Sequence, residues 1–375
     1  MRFVLLMLAA LAMEAAAQQP GFAASEQADN LLSQGITAQQ AGNLQSAIES
    51  YRKALALRPD FGDAHVNLGA ALSAAGQFDA AIEEDKRALE LVPDKTSVRL
   101  NLALAYYKKG DCENAVPQFK AVHDERPGQL TAALLLGYCN VKLGRAEEAA
   151  GMLTPLESAN SDNMDFEYVL ADALIESGRE VDGMPRMEKA AAATNSVDAW
   201  VIAGSARLHR REFEVARKDL DAAMKLNPDF PGLATLAGQA RDAMGDTDAA
   251  QPAFEAALRQ NPKDFMANLY LGTMHVKKRE FDQARPLLEA ALQLQPEMAQ
   301  ARFQMAKLNA MTGKEDEAAK ALEELEKADP NWLDPHVELA ALYYKLHRPE
   351  DGQRERGIVQ QLDAKQQQTG APHAQ

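Results

Sequence analysis

Residues 64–93 read AHVNLGAALSAAGQFDAAIEEDKRALELVP, and this stretch predicts two short amphipathic helices joined by a tight turn at Gly76. Small residues at Gly69 and Ala81 would let the two helices cross closely, because close helix packing requires small side chains at the contact. Pro93 ends the second helix, since proline cannot continue it. The stretch is therefore a complete helix-turn-helix unit.

The same unit recurs along the chain at a nearly constant spacing of 34 residues, with one unit in the middle shortened by a residue. The prolines that close a unit are Pro59, Pro93, Pro127, Pro228, Pro262, Pro296 and Pro330. The alanines of the second helix are Ala47, Ala81, Ala115, Ala149, Ala216, Ala250, Ala284 and Ala318, with Gly183 in the remaining place. The small residues of the first helix are Gly35, Gly69, Ala103, Gly137, Ala171, Gly204, Gly238, Gly272, Ala306 and Ala340. Three series in phase cannot arise from composition alone, so the chain is built from repeats.

A helix-turn-helix period of 34 residues with small residues at these places resembles the tetratricopeptide repeat. The resemblance implies an all-α fold, an α-solenoid that forms a right-handed superhelix of about nine to ten repeats. We predict nine repeats over residues 28–332 and a degenerate tenth repeat over residues 333–362, whose two helices cap the stack. Residues 363–375 are polar and are predicted to be disordered.

The first residues are typical of a secretory signal peptide. Arg2 precedes an apolar run of about 10 residues, and small residues follow at 15–17, so the predicted cleavage is after Ala17. A membrane span needs roughly 20 apolar residues, so the run should not anchor the mature chain. We therefore predict a signal peptide over residues 1–17, a mobile leader over residues 18–27, and an exported protein that is periplasmic or secreted.

Composition argues against several classes of function. The net charge of −15 and a pI near 5.0 argue against a nucleic-acid partner, because such binding depends on basic residues that neutralise phosphate. The seven histidines form no HExxH motif and no close pair with cysteine, and the chain has no phosphate-binding glycine loop. We therefore predict a protein that is not an enzyme and that has no cofactor and no metal site.

The two cysteines could form a disulfide. Cys112 begins the second helix of the third repeat, and Cys139 lies late in the first helix of the fourth. Consecutive antiparallel helices would bring these places together, although equal distances from the turn would pair Cys112 with residue 142, about one helical turn (~5 Å) away. An exported protein permits the bond. The alternative is two separately buried, small apolar side chains.

In the family that the chain resembles, the first helix of each repeat lines the concave face. The residues that this resemblance places on the face are Asn67, Asn101, Tyr107, Lys108, Tyr138, Lys142 and Tyr168. Asparagine can pair with an extended peptide backbone, and tyrosine gives a large contact area at low entropic cost. We predict that this groove binds a protein or peptide segment. The alternative is an ordinary hydrated helix surface, or a glycan bound by the three tyrosines in an accessory of envelope polysaccharide or secretion machinery.

Overall fold

The structure is a computed structural model that describes residues 20–369, and within this range it contains helices and no strand. The prediction of an all-α repeat fold is confirmed. The predicted signal peptide, residues 1–17, lies outside the described residues. The chain divides into two compact units, one ending at Thr194 and the other beginning at Asn195.

The first unit holds five helix pairs within the described residues. Its helices are α1 (Pro20–Gln40), α2 (Leu44–Leu57), α3 (Gly62–Ala74), α4 (Phe78–Leu91), α5 (Thr96–Lys108), α6 (Cys112–Glu125), α7 (Leu130–Lys142), α8 (Ala146–Leu153), α9 (Glu157–Asn160), α10 (Met164–Glu176) and α11 (Glu180–Thr194). The short helix α9 follows a 3₁₀ turn over Thr154–Leu156. Within this unit the helices of a pair pack against each other, and each pair packs against the following pair of the unit.

The second unit also holds five helix pairs within the described residues. Its helices are α12 (Val197–His209), α13 (Phe213–Leu226), α14 (Leu233–Ala243), α15 (Thr247–Gln260), α16 (Phe265–Lys277), α17 (Phe281–Leu294), α18 (Ala299–Met311), α19 (Glu315–Ala328), α20 (Leu333–Lys345) and α21 (Pro349–Thr369). None of the described helices is both long enough and apolar enough to cross a membrane.

The small residues of the repeat are the points where helices touch. All eight alanines of the second-helix series are completely buried. A Cβ atom placed on Gly35 would lie 2.3 Å from the ring of Tyr51, and one on Gly238 would lie 2.6 Å from the ring of Phe254. A glycine on the first helix thus makes room for a large side chain on the second, which explains why the small residues recur with the repeat.

The turn within each pair repeats one backbone conformation. Gly76 adopts a φ of +75°, and the equivalent residues Arg211, Arg279 and His347 adopt φ values of +62°, +61° and +56°. Glycine enters this left-handed region at no steric cost, whereas other residues pay a penalty there. The turn geometry is therefore imposed by the packing of the repeat even where the sequence does not favour it.

The first and last helices extend beyond the predicted repeat boundaries. Helix α1 begins at Pro20, so residues 20–27 are helical and do not form a mobile leader. Proline is tolerated in the first turn of a helix, which makes Pro20 a start rather than an interruption. Helix α21 continues to Thr369, so residues 363–369 extend the last helix and are not disordered. No proline or glycine interrupts that segment, and its alanine, lysine and glutamines favour a helix.

Candidate functional site

A cavity of 670 Å³ lies where the third and fourth repeats meet in the first unit. Four of the seven predicted groove residues line it together: Tyr107, Lys108, Tyr138 and Lys142. The remaining lining residues are Gly110, Asp111, Cys112, Glu113 and Leu143. We call this cavity the tyrosine–lysine pocket. It is the largest concentration of predicted binding residues in the described part of the chain.

The repeat itself places these side chains. Tyr107 and Lys108 end helix α5, and Tyr138 and Lys142 lie in the last turns of helix α7. Lys108 and Lys142 are 34 residues apart and so occupy the same place in consecutive repeats. Because α5 and α7 are both first helices, equivalent residues at their ends face the same side of the stack. The pocket therefore follows from the repeat, and its residue types are particular to these two repeats.

The two tyrosines form the apolar part of the pocket. Their ring centroids are 5.7 Å apart and the rings are nearly perpendicular, with an interplanar angle of 84°. Burial raises the pKa of the Tyr107 hydroxyl above its usual value, and the nearby Tyr138 adds to the increase. The Lys142 ammonium lies 5.3 Å from the centre of the Tyr138 ring, within the range of a cation–π contact. The rings are thus held by each other and by Lys142.

Charged residues of both signs line the pocket. Neither Lys108 nor Lys142 forms a direct ion pair with any described residue, so both ammonium groups can bind an added anion. Asp111 and Glu113 form the acidic wall of the pocket. The Asp111 carboxylate caps helix α6 and accepts hydrogen bonds from the Asn114 backbone amide (3.1 Å) and side-chain amide (2.8 Å). These bonds lower the pKa of Asp111. Glu113 lies next to it and is exposed.

A disulfide borders the pocket. Cys112, at the start of α6, is bonded to Cys139 of α7, and their Cα atoms are 5.1 Å apart. Cys112 lines the pocket, whereas Cys139 is completely buried. The bond ties the helix that carries Tyr138 and Lys142 to the turn that carries Asp111. It therefore fixes one wall of the pocket relative to the other.

The other three predicted groove residues lie outside this pocket. The Asn67 side chain donates a hydrogen bond to the Asp63 carbonyl one turn earlier in its own helix, at 2.7 Å. Asn101 is partly buried on α5. Tyr168, on α10, packs against the apolar cluster of the fourth and fifth repeats. The structure therefore does not bring these three residues to the pocket.

The sequence interpretation missed the acidic wall. Asp111 and Glu113 lie on the turn and on the second helix, whereas the resemblance directed attention to first helices only. A signal was present, because an aspartate just after a turn glycine is typical of a helix N-cap. The arrangement as a whole can bind an anionic group beside a large apolar or aromatic one.

Buried Asp172 lies close to this region. It is on α10, and burial raises the pKa of its carboxyl above the usual value, with Glu176 adding to the increase and Lys142 opposing it. The charge of Lys142 is thus felt by a carboxyl of the next repeat. This interaction links the pocket to the fifth repeat.

Comparison with protein families gives matches to one family description, tetratricopeptide repeat. One profile of this family matches residues 32–96, 100–154 and 235–279, and a second matches residues 275–343. Together these segments cover more than half of the chain. A search of curated proteins gave no match.

Several solved structures resemble the chain. A tetratricopeptide repeat protein from Parabacteroides merdae is 16% identical, with 66% of this chain and 98% of that chain covered and a TM-score of 0.48. Yeast Tom70 is 15% identical, with 92% and 97% covered and a TM-score of 0.36. A double mutant of MamA is 20% identical, with 45% and 96% covered and a TM-score of 0.39.

Proposed function

The chain belongs to the tetratricopeptide repeat family, and we propose that it is an exported, non-enzymatic adaptor that binds a segment of a protein partner. Members of this family generally serve as scaffolds for protein interaction. In such a scaffold, the first helices of the repeats present the binding residues. The observation that carries the proposal is that four predicted binding residues meet in the tyrosine–lysine pocket.

The chemistry of the pocket suggests what the segment contains. Lys108 and Lys142 provide two ammonium groups that lack a direct carboxylate partner among the described residues. Tyr107 and Tyr138 provide an apolar surface between them. We propose that the segment presents an aspartate or glutamate to the lysines and a large apolar side chain to the tyrosines. An aromatic or aliphatic anchor of this kind, placed in a preformed pocket, usually carries most of the binding free energy.

A glycan ligand is the second candidate, and the geometry gives it less support. A sugar ring stacks on an open aromatic face, and the three tyrosines of the predicted stripe would have to present such faces. Tyr107 and Tyr138 instead pack edge to face, and Lys142 lies over the Tyr138 ring. Tyr168 does not line the pocket. We therefore propose a protein segment as the ligand.

The proposal can be tested by selecting peptides from a random displayed library against the purified chain. We expect the selected peptides to pair an acidic residue with a large apolar neighbour. Tyr138→Ala and Lys142→Ala should each weaken peptide binding at least about tenfold, which corresponds to ~1.4 kcal/mol. Lys120→Ala is the matched control and should leave peptide binding unchanged. Lys120 is an exposed lysine of α6, the second helix of the third repeat, and it does not line the pocket.

The outcomes separate the two candidates. Peptides whose affinity is the same for the wild type, Tyr138→Ala and Lys142→Ala would contradict the proposed site. Binding to an array of glycans that is lost in Tyr107→Ala and Tyr138→Ala, without any selected peptide, would replace the adaptor by the glycan-binding accessory.

Export is the part of the proposal that depends on the N-terminal sequence. The signal-peptide pattern over residues 1–17 supports it, and so does the disulfide, because such bonds persist mainly in oxidising compartments. Mass spectrometry of the mature protein should find Gln18 at its N-terminus. An intact Met1, or two free thiols in protein trapped with an alkylating reagent in cells, would contradict export.

A further inference from the structure

Three ligand-type side chains from three different helices meet in the last repeats of the second unit. They are Glu326 of α19, His336 of α20 and Glu355 of α21, and their ligand atoms all lie within 4.8 Å of one another. The side chains of His336 and Glu355 are only 2% and 1% exposed, whereas that of Glu326 is 27% exposed. The cluster is therefore buried on two sides and open to solvent on the third.

The hydrogen bonds of His336 determine which of its nitrogen atoms faces the carboxylates. Nε2 lies 3.1 Å from the Pro330 carbonyl oxygen, which can only accept, so Nε2 carries a hydrogen. Nδ1 faces Oε2 of Glu355 at 2.8 Å and Oε1 of Glu326 at 4.0 Å. A nitrogen and two carboxylates that face one another need a shared cation, either a proton or a metal ion. Histidines that bind metals usually donate their other nitrogen to a backbone carbonyl in this way.

The second repeat contains the same arrangement without the third ligand. His65 Nε2 lies 2.9 Å from the Pro59 carbonyl oxygen, and Nδ1 lies 2.6 Å from Glu84. The sequence separations are the same as those of His336 from Pro330 and Glu355. In the place that corresponds to Glu326, four residues before the proline, the preceding helix α2 has Leu55. His65 thus faces one carboxylate, whereas His336 faces two.

Glu326 changes the charge balance in the last repeats. A protonated His336 would leave one excess negative charge among the three groups, whereas a dication with a neutral histidine leaves none. The Arg354 guanidinium lies 3.6 Å from Oε1 of Glu355, but its closer partner is Asp351 at 2.8 Å, whose carboxylate balances its charge. The two carboxylates and one imidazole are the ligand types that Zn²⁺ binds.

We propose that Glu326, His336 and Glu355 form a binding site for a divalent transition metal ion of the Zn²⁺ class. Ligand atoms about 2.0–2.1 Å from a tetrahedral Zn²⁺ are roughly 3.3 Å apart. The observed distances of 2.8 Å and 4.0 Å from Nδ1 reach this value with side-chain shifts of less than about 1 Å. The fourth ligand is a water molecule on the open side next to Glu326. The ion would fasten the last helix, α21, to α19 and α20.

The test is a Co²⁺ titration of the full chain after its metals have been removed with a chelator. Co²⁺ replaces Zn²⁺ and gives strong visible absorption in a tetrahedral site. We expect saturation at one Co²⁺ per chain, and displacement by Zn²⁺. Glu326→Leu, which copies Leu55 at the corresponding place in α2, should weaken Co²⁺ binding at least about tenfold.

Two further variants control for folding and for unspecific binding. His336→Asn should remove the tetrahedral absorption but keep the fold, because Asn268 occupies the same place in the eighth repeat and donates to the Pro262 carbonyl at 3.0 Å. His65→Asn should leave Co²⁺ binding unchanged. A wild type without tetrahedral absorption, or equal affinity in the wild type and Glu326→Leu, would overturn the proposal and leave a proton between His336 and Glu355.

Discussion

At the scale of single residues, Asp85 departs most clearly from the repeat. Other repeats have a large apolar or aromatic residue in its place, such as Tyr51, Phe119 and Phe254. Asp85 is completely buried, and neither of its carboxylate oxygens has a hydrogen-bond partner among the described residues. Burial raises the pKa of Asp85 to about 8, and the neighbouring Glu84 adds to the increase. The carboxyl is therefore protonated in the folded protein at neutral pH, which costs stability.

Asp85 should make the first unit less stable as the pH rises. Its pKa is about 8 in the folded state and 3.8 in the reference state, so between these values the folded state binds more protons than the unfolded state. The free energy of unfolding then falls as the pH rises through that window. Asp85→Leu should raise it at pH 8 by on the order of 3 kcal/mol and by much less at pH 4.

Urea denaturation of the wild type and Asp85→Leu between pH 4 and pH 8 measures the difference in their free energies of unfolding. Asp85→Asn is the control, because it removes the charge and keeps the shape, and its pH dependence should match that of Asp85→Leu. If the free energy of unfolding of the wild type differed from that of both variants by the same amount at every pH, Asp85 would not titrate as described.

Gly183 gives a second prediction at this scale. It stands where the other repeats have alanine, and a Cβ atom there would lie 2.8 Å from the Ala171 carbonyl oxygen and 2.7 Å from Ile175 Cγ1. The helices of the fifth repeat approach each other more closely than an alanine permits. Gly183→Ala should therefore lower the free energy of unfolding by about 1–2 kcal/mol, although it restores the residue common in this place.

The matched control for Gly183 is Gly151→Ala. Gly151 lies in helix α8 of the same unit, and a Cβ atom there would meet nothing within 4 Å. Alanine is a better helix former than glycine, so this change should stabilise by up to about 1 kcal/mol. Denaturation of both variants decides the question, and equal stabilisation by the two changes would contradict the close approach at Gly183.

At the scale of helices, the repeat spacing predicted most elements because three series of residues indicate the same phase. Closing prolines, second-helix alanines and first-helix small residues share one phase, and the helices follow that phase from Leu44 to Lys345. The spacing gave no information beyond the repeats, so the extension of α1 back to Pro20 and of α21 to Thr369 was missed. Local helix propensity decides those ends, and it carries no periodic signal.

The cysteine pair shows a different limit of prediction at the same scale. The repeat spacing predicted that Cys112 and Cys139 lie on adjoining helices, but it also predicted an offset of about one helical turn between them. The offset between α6 and α7 depends on the backbone of residues 126–129, which the spacing does not specify. In the structure the Arg126 and Gln129 amides donate to the Val122 and Arg126 carbonyls, and the Cα atoms of the cysteines lie 5.1 Å apart.

The disulfide should stabilise the third and fourth repeats. It closes a loop between residues separated by 27 positions, for which the loss of chain entropy in the unfolded state predicts about 3 kcal/mol. The double variant Cys112→Ala, Cys139→Ala should be less stable by roughly this amount and should bind the selected peptides more weakly. Denaturation with and without a reducing agent measures it. The stability of the double variant should not change with the reducing agent. A wild type whose stability is also unchanged by the reducing agent would contradict a stabilising bond.

At the scale of the whole molecule, the sequence predicted the architecture better than the site. The repeat identified which helices could bind and which residues lie on them, but only four of the seven candidates meet in one pocket. The acidic wall and the Glu326, His336 and Glu355 cluster bring together residues from different helices, and their positions depend on packing between repeats. The support for an acidic segment comes from the two pocket lysines, Lys108 and Lys142, and not from the chain as a whole, whose net charge is −15.

Hydrogen exchange of the full chain, with and without a selected peptide, tests the proposed binding site most directly. We predict that the peptide slows exchange most in residues 107–113 and 138–143, which contain the tyrosine–lysine pocket. Slowing confined to α4, α8 and residues 114–125 of α6, or to the second unit, would contradict the account.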